Sequence, residues 1–336
     1  MYNVSQLNLK GFTLHQENET PFTQLDPDLI LDAVESIGFP CTGSLLALNS
    51  YENRVYQIGI EGAEPVIAKF YRPKRWSSDA ILEEHQFSLE LVQHEIPVIA
   101  PLIINDETLH QYDNYRFALF PRRGGHPLEL DNNEQLEWMG RFIGRLHRVS
   151  ASQPFQHRIQ LNVQNYGQEP YEFLLEHDFI PDYLKPNFCK TVETAIERVR
   201  EVFLNTGQVD LIRLHGDCHA GNVLWSASGS HIVDLDDCLM GPAIQDIWML
   251  LSGHQEQMDT QLAKILQGYH EFHEFNPRER HLIEALRTLR MLHYSGWLAK
   301  RWADPAFPLS FPWFNTPVYW QNQLSHLNEQ IELLER

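Results

Sequence analysis

With 336 residues, 43% of them hydrophobic and 11% aromatic, the chain has an ordinary globular composition and the length of two lobes of unequal size. Its formal net charge of −19 argues against a general binder of nucleic acid or of an anionic membrane, while permitting a cationic substrate. No apolar run approaches a membrane span, and Met1-Tyr2-Asn3-Val4-Ser5 lacks the basic and apolar regions of a signal peptide.

Residues 1–25 are polar and irregular and are expected to form a loosely held tail. Asp28 to Ile37 is helical in period and closed by Gly38. Three β-type runs follow: Leu45 to Leu48, Arg54 to Ile60, and Val66 to Phe70. The first two flank Asn49-Ser50-Tyr51-Glu52-Asn53, an order that looks like a hairpin over a nucleotide although a G-x-G-x-x-G loop is absent. Ser50 offers a hydroxyl and a backbone N–H to a phosphate; a solvent-facing turn fits the same residues.

Lys69 lies inside an apolar strand, where an ammonium costs desolvation unless it finds an anion. A nucleotide phosphate together with a helix carboxylate would satisfy it; snorkelling from an edge strand is the alternative. Ser77 or Ser78 caps the next helix, Asp79 to His94. Residues 84, 87 and 91 share a face of it, which makes Glu84 rather than its neighbour Glu83 the expected partner of Lys69.

Pro97 and Pro101 break the chain before a buried strand at Tyr115 to Phe120. Residues 122–132, with Gly124 and Gly125, read as a hinge between a nucleotide-binding lobe at 26–121 and a mainly helical lobe at 133–336. An adenine ring is expected against Phe120, bonded to backbone near Pro121 and Arg122; proline has no N–H, so a neighbour must donate. Leu136 to Arg148 follows a helical period, with His147 expected as a packed or capping residue. A Pro- and Gln-rich loop leads to a helix at Phe188 to Leu204. Further helices are expected to start near Gly241 and at Leu262–Tyr269, Arg280–Lys300 and Tyr319–Leu334. The aromatic–proline stretch Trp302 to Phe314 is either a substrate-side wall or a cap on the core, with burial the expectation.

The strongest signal is Leu214-His215-Gly216-Asp217-Cys218-His219-Ala220-Gly221-Asn222, followed by Ile232-Val233-Asp234-Leu235-Asp236-Asp237. Asn222 stands five positions after Asp217, and Asp234 seventeen. Phosphoryl transfer from a Mg2+–nucleotide needs such a set: one Asp to accept or orient the proton of the attacking hydroxyl, and an amide and a second Asp to hold the metal. Asp246, at the start of a helix, is expected to brace this loop by accepting backbone N–H bonds. Asp236 and Asp237 have no firm role here: solvated acids are the expectation, and assistance to the metal by either is the alternative. Cys41, Cys189, Cys218 and Cys238 lack paired metal spacing and read as reduced packing thiols of a cytoplasmic protein, not as a zinc site.

His215-Gly216-Asp217…Asn222 with Asp234 resembles the aminoglycoside phosphotransferase/choline kinase branch of the protein-kinase-like fold, from about Leu45 to the C-terminus. A closer likeness, to bacterial cytoplasmic Ser/Thr protein kinases within that branch, runs through four further stretches. They are Leu48 to Tyr56, Lys69-Phe70-Tyr71-Arg72-Pro73, Glu83 to Phe87, and Arg301-Trp302-Ala303-Asp304-Pro305-Ala306-Phe307-Pro308. The resemblance implies a bilobal α/β (α+β) fold with a small β-rich lobe. It implies Asp217 as catalytic base, Asn222 and Asp234 as Mg2+ ligands, Ser50 at the ATP phosphates and Lys69 in the nucleotide site. It also implies a protein substrate, with modification of the kinase itself left open, and the chain is expected to act as a monomer. Only 12 positions separate Asp234 from Asp246, too few for a long peptide-binding activation segment. A small hydroxyl acceptor therefore stays as the alternative, and a catalytically silent nucleotide-binding regulator as a further one.

Overall fold

The computed structural model describes residues 21–226 and 229–335; most of the expected tail therefore lies outside the described residues. Helix α1 (Pro27–Ser36) starts where the Asp26 carboxylate accepts the N–H of Leu29, and ends before Gly38, whose φ of 97° suits only glycine. Its Ile30, Ala33 and Val34 pack on a five-stranded antiparallel sheet: β1 (Cys41–Ala47), β2 (Arg54–Ile60), β3 (Val66–Phe70), then α2 (Ser78–Gln93), β4 (His110–Tyr112) and β5 (Tyr115–Pro121). The spatial order is β1-β2-β3-β5-β4, which makes β3 the middle strand. Lys69 pairs there with Val55 on one side and Ala118 on the other, so it does not snorkel from an edge. Strand β1 begins four residues earlier than its apolar run because a bulge between Cys41 and Leu45 breaks the alternation that marks a strand.

The helical lobe contains α3 (Asn133–Ser150), α4 (Glu169–Glu176) and α5 (Lys185–Thr206), then the short strands β6 (Ile212–Leu214), β7 (Val223–Leu224), β8 (His231–Ile232) and β9 (Leu239–Gly241). Helices α6 (Ile244–Trp248), α7 (Gln255–Tyr269), α8 (Ile283–Lys300), α9 (Ala306–Ser310) and α10 (Pro317–Leu334) follow. α4 was hidden in the Pro- and Gln-rich stretch, since Pro170 is tolerated in a first helical turn. The helix expected near Gly241 is preceded by β9, which pairs with β6, the strand that leads into the catalytic loop. α3 packs on α7 at backbone distance: a Cβ on Gly140 would stand 1.9 Å from the Ile265 carbonyl oxygen, and one on Gly268 2.0 Å from that of Glu137. No helix among the described residues is long and apolar enough to cross a membrane. Cys218 and Cys238 are buried in the main core, where burial pushes the Cys238 thiol up to about 12, so both serve as packing groups.

Helix α2 is fastened to both lobes. Ser77 caps it, and its Ile81 and Phe87 are buried. On its outer face the Glu83 carboxylate accepts the backbone N–H groups of Gln156, His157 and Arg158 at 2.6–2.9 Å. About two turns further along the same face, Glu90 receives Arg213 of β6 at 2.7 Å, with the guanidinium 4.6 Å from the Phe87 ring. Arg213 is 3% exposed, so its removal leaves a half-buried carboxylate unpaired. Arg213→Met is expected to lower stability by about 1–3 kcal/mol. A urea denaturation midpoint equal to that of the parent chain would refute the strut.

Candidate active site

The cleft is built where β6 runs into the loop 215–222. Gly216 takes a φ of 85°, and a Cβ there would lie 2.2 Å from the Asp237 carbonyl oxygen. The buried Asp246 of α6 accepts the His215 N–H at 2.8 Å and the Gly216 N–H at 2.9 Å, the bracing role expected of it. His147 stands 3.2 Å from the same carboxylate and bonds the Tyr269 hydroxyl, and so is packed as expected. The His215 ring in turn reaches the Val233 carbonyl at 2.9 Å, one residue before Asp234. A continuous chain of buried hydrogen bonds therefore links α3, α6, the catalytic loop and the second acid.

Asp217 projects from this loop toward Arg290 of α8, at 2.7 Å, and His219, at 3.5 Å. Burial opposes ionisation of its carboxyl, but the His219 hydrogen bond and the Arg290 charge outweigh it and hold the group well below the usual carboxylate range. The Asn222 amide nitrogen donates to the Asp217 carbonyl at 3.0 Å, so its amide oxygen is the atom left to take a cation. Asp234 adopts a left-handed conformation (φ 63°) with a 55% exposed side chain.

Opposite, the Lys69 ammonium is 6% exposed and sits among three carboxylates: Asp236 at 3.0 Å, Asp234 at 3.1 Å and Glu84 at 3.5 Å. Burial alone would pull its pKa down; Asp236, Glu84 and Asp234 reverse that and hold it firmly charged. Glu84 is the helix partner, as expected, because Glu83 is occupied by backbone N–H groups. Burial raises the Glu84 carboxyl to about 7 despite Lys69.

Asp236 differs from expectation. It is 2% exposed, not solvated, and pairs with Lys69 and Arg75, which hold its carboxyl low against burial. The short 3-10 turn Leu235–Asp237 swings it inward, leaving Asp237 about half-exposed and also paired with Arg75. Arg75, Arg158 and Arg290 escaped sequence reasoning: each meets its partner from a distant part of the chain, and nothing local marks it.

A cavity of about 370 Å3 lies between the sheet and this loop system. Ser50, Lys69, Glu84, Phe120, Asn222 and Asp234 all line it. Ser50 also donates its hydroxyl to the Asn53 carbonyl at 3.2 Å, within its own turn. The exposed Arg122 side chain turns to Gln57 at 2.8 Å, and it is Arg123 that lines the cavity. The donor pair Asn222 and Asp234 offers hard oxygens suited to Mg2+, which keeps water and phosphate oxygens among its ligands. No cluster of three or more His, Cys, Asp or Glu side chains able to hold a metal occurs among the described residues.

Residues 44–283 match the phosphotransferase enzyme family. The chain belongs to that family. Stress response kinase A of Escherichia coli K12 is 45% identical over 318 residues, covering 94% of this chain and 95% of its own. The serine/threonine protein kinase RdoA of Salmonella typhimurium LT2 is likewise 45% identical, over 95% of this chain and 96% of its own. Among solved structures, amicoumacin kinase hAmiN in complex with AMP-PNP and Ca2+ matches with a TM-score of 0.71 at 20% identity, covering 95% of this chain and 96% of that one. A microcompartment-associated aminopropanol kinase gives 0.71 at 17% identity, over 93% and 97%. These likenesses place the fold among the phosphotransferase kinases, and the chain is a kinase of this family.

Asp246→Ala removes the acceptor for two loop N–H groups and the partner of His147. It is expected to lower kcat on the order of 10- to 100-fold while leaving the KM for ATP nearly unchanged. Steady-state kinetics with an unaltered kcat would show that Asp246 does not set the loop.

Proposed function

We propose that the protein is a cytoplasmic, monomeric Ser/Thr protein kinase that transfers the γ-phosphate of Mg2+–ATP to a protein hydroxyl, within a bacterial stress response. The observation that carries the reading is Lys69, Asn222 and Asp234 converging on one cavity, with the Asp217 carbonyl bonded to Asn222 on the loop that borders it, in a chain 45% identical to relatives named as stress response and Ser/Thr kinases.

In this reading the adenine lies near Phe120, and Lys69 engages the phosphates, exchanging part of its carboxylate company for them. Ser50 covers the phosphates from the hairpin. Asn222 and Asp234 would hold Mg2+, which supplies charge neutralisation at the phosphate oxygens. The acceptor oxygen forms a bond to Pγ as the bond from Pγ to the β–γ bridging oxygen breaks, releasing ADP. Asp217 takes the hydroxyl proton. A carboxylate held so low is a weak base, so Asp217 acts first by orienting the hydroxyl and receives the proton late, which suits a loose transition state.

A small hydroxyl acceptor is the second reading. The chain passes from Asp234 through a 3-10 turn directly into β9, with no extended segment on which a peptide could lie. A second cavity, of about 180 Å3, is lined by Asp237, Tyr166, Arg75, Lys300 and Arg301. Arg75 and Arg301 there are already paired with Asp236, Asp237 and Glu52, so the cavity leaves room for the hydroxyl of an amine or sugar as the acceptor. The same short passage leaves no place for a phosphorylation switch between Asp234 and Asp246.

Purified protein with Mg2+ and γ-labelled ATP is expected to place label on protein Ser or Thr. Asp217→Ala should keep nucleotide binding and lose transfer by about 10^3-fold or more. Label confined to amines or sugars would move the assignment to the small-molecule kinases, and normal turnover by Asp217→Ala would refute the mechanism.

A further inference from the structure

Three stretches singled out in the sequence, 48–56, 69–73 and 301–308, meet at one place on the rim of the cleft. Glu52, at the tip of the hairpin between β1 and β2, accepts the Trp297 indole N–H at 2.6 Å and lies 2.5 Å from Arg301 Nε, both from the helical lobe. Its other oxygen is 2.9 Å from Arg72 Nε. Arg72 also reaches across to Asp304 at 2.7 Å, and Arg54 approaches the same carboxylate at 3.4 Å. The Asn53 side chain accepts the Arg72 backbone N–H at 3.0 Å, and the Tyr51 ring lies 4.7 Å from that of Phe311. The Glu52, Arg72 and Asp304 side chains are only 12%, 8% and 6% exposed.

A glycine-rich loop comes close to phosphates because it lacks side chains, and it is correspondingly mobile. Here residues 49–53 contain no glycine, and the loop is gripped from the opposite lobe by a closed set of buried charges. Removing one member of such a set leaves its partner's charge uncompensated in the clasped geometry, so the substitution loosens the clasp. We infer that Trp297, Arg301 and Asp304 are positioning residues for the nucleotide: they clasp the hairpin so that Ser50 and the adjoining backbone stand over the ATP phosphates. This assignment rests on the reading of the cleft as an ATP site. It makes the lobe-to-lobe clasp, rather than glycine, the device that sets the phosphate-covering loop.

The test is the KM for ATP, kcat at saturating ATP, and thermal unfolding with and without Mg2+–ATP, in Asp304→Asn, Arg301→Gln and the milder, more exposed Arg54→Gln. The expected result is a KM for ATP raised about tenfold or more in the first two and less in the third, with kcat falling far less. The ATP-induced rise in melting temperature should shrink in step. A purely structural role would lower both melting temperatures equally and leave the ATP-induced rise at the parent value; that outcome, or an unchanged KM, overturns the inference. Lys69→Met, run alongside, separates the two levels. If it loses ATP binding while Asp304→Asn keeps the parent KM, the clasp alone is wrong. If it binds ATP normally, the nucleotide site itself is misplaced and the inference falls with it.

Discussion

The Lys69 ammonium, buried on the middle strand of the sheet, constrains the whole cleft. Effective desolvation of such a charge costs several kcal/mol, so it persists only where carboxylates surround it. Two elements supply three of them: Glu84 from α2, and Asp234 and Asp236 from the loop after β8. The sheet, the helix and the catalytic lobe must therefore meet at one point. Arg75 and Arg158 complete the charge balance around Asp236. The Glu84 carboxyl, raised to about 7, marks the least compensated acid in the set. A group with a raised folded-state pKa binds its proton more tightly when folded, so its contribution fades as pH rises from about 4.5 through 7. Asp236, held low, contributes the opposite way, and its share is lost on acidification.

Around this centre the structure is braced rather than poised to move. Glu83 and Glu90 tie α2 to the helical lobe, and Asp246 holds the catalytic loop by its backbone. The clasp at Glu52 and Asp304 closes the opposite rim. In kinases switched by an activation segment, the helix bearing the lysine's partner is a point of regulation. Here that helix is pinned at both ends of its outer face, in keeping with the short passage from Asp234 to α6.

What the sequence revealed follows the range of the physics involved. The spacing of Asp217, Asn222 and Asp234 is local to one strand–loop–strand, so it could be read directly. Asp246 was legible because an Asp opening a helix beside such a loop has few other uses. Glu84 followed from the face it shares with Phe87 and Leu91. By contrast, Arg290 beside Asp217, Arg158 beneath Asp236 and Asp304 against Arg72 depend on tertiary placement and leave no local pattern. Asp236 was misjudged because adjacent acids usually face water, and only the 3-10 turn sends one of them inward. α4 and the start of β1 were obscured by a first-turn proline and a bulge, both of which interrupt the periodicity that reveals an element.

The most direct test of the central claim is calorimetric titration of ATP with Mg2+ and with EDTA, in the parent chain and in Asp234→Asn. If Asn222 and Asp234 hold a metal bridging the phosphates, Mg2+ should tighten ATP binding by about tenfold or more in the parent, and that gain should vanish in the variant. A variant that retains the full Mg2+ dependence would contradict the assignment of the cleft as a metal–nucleotide site.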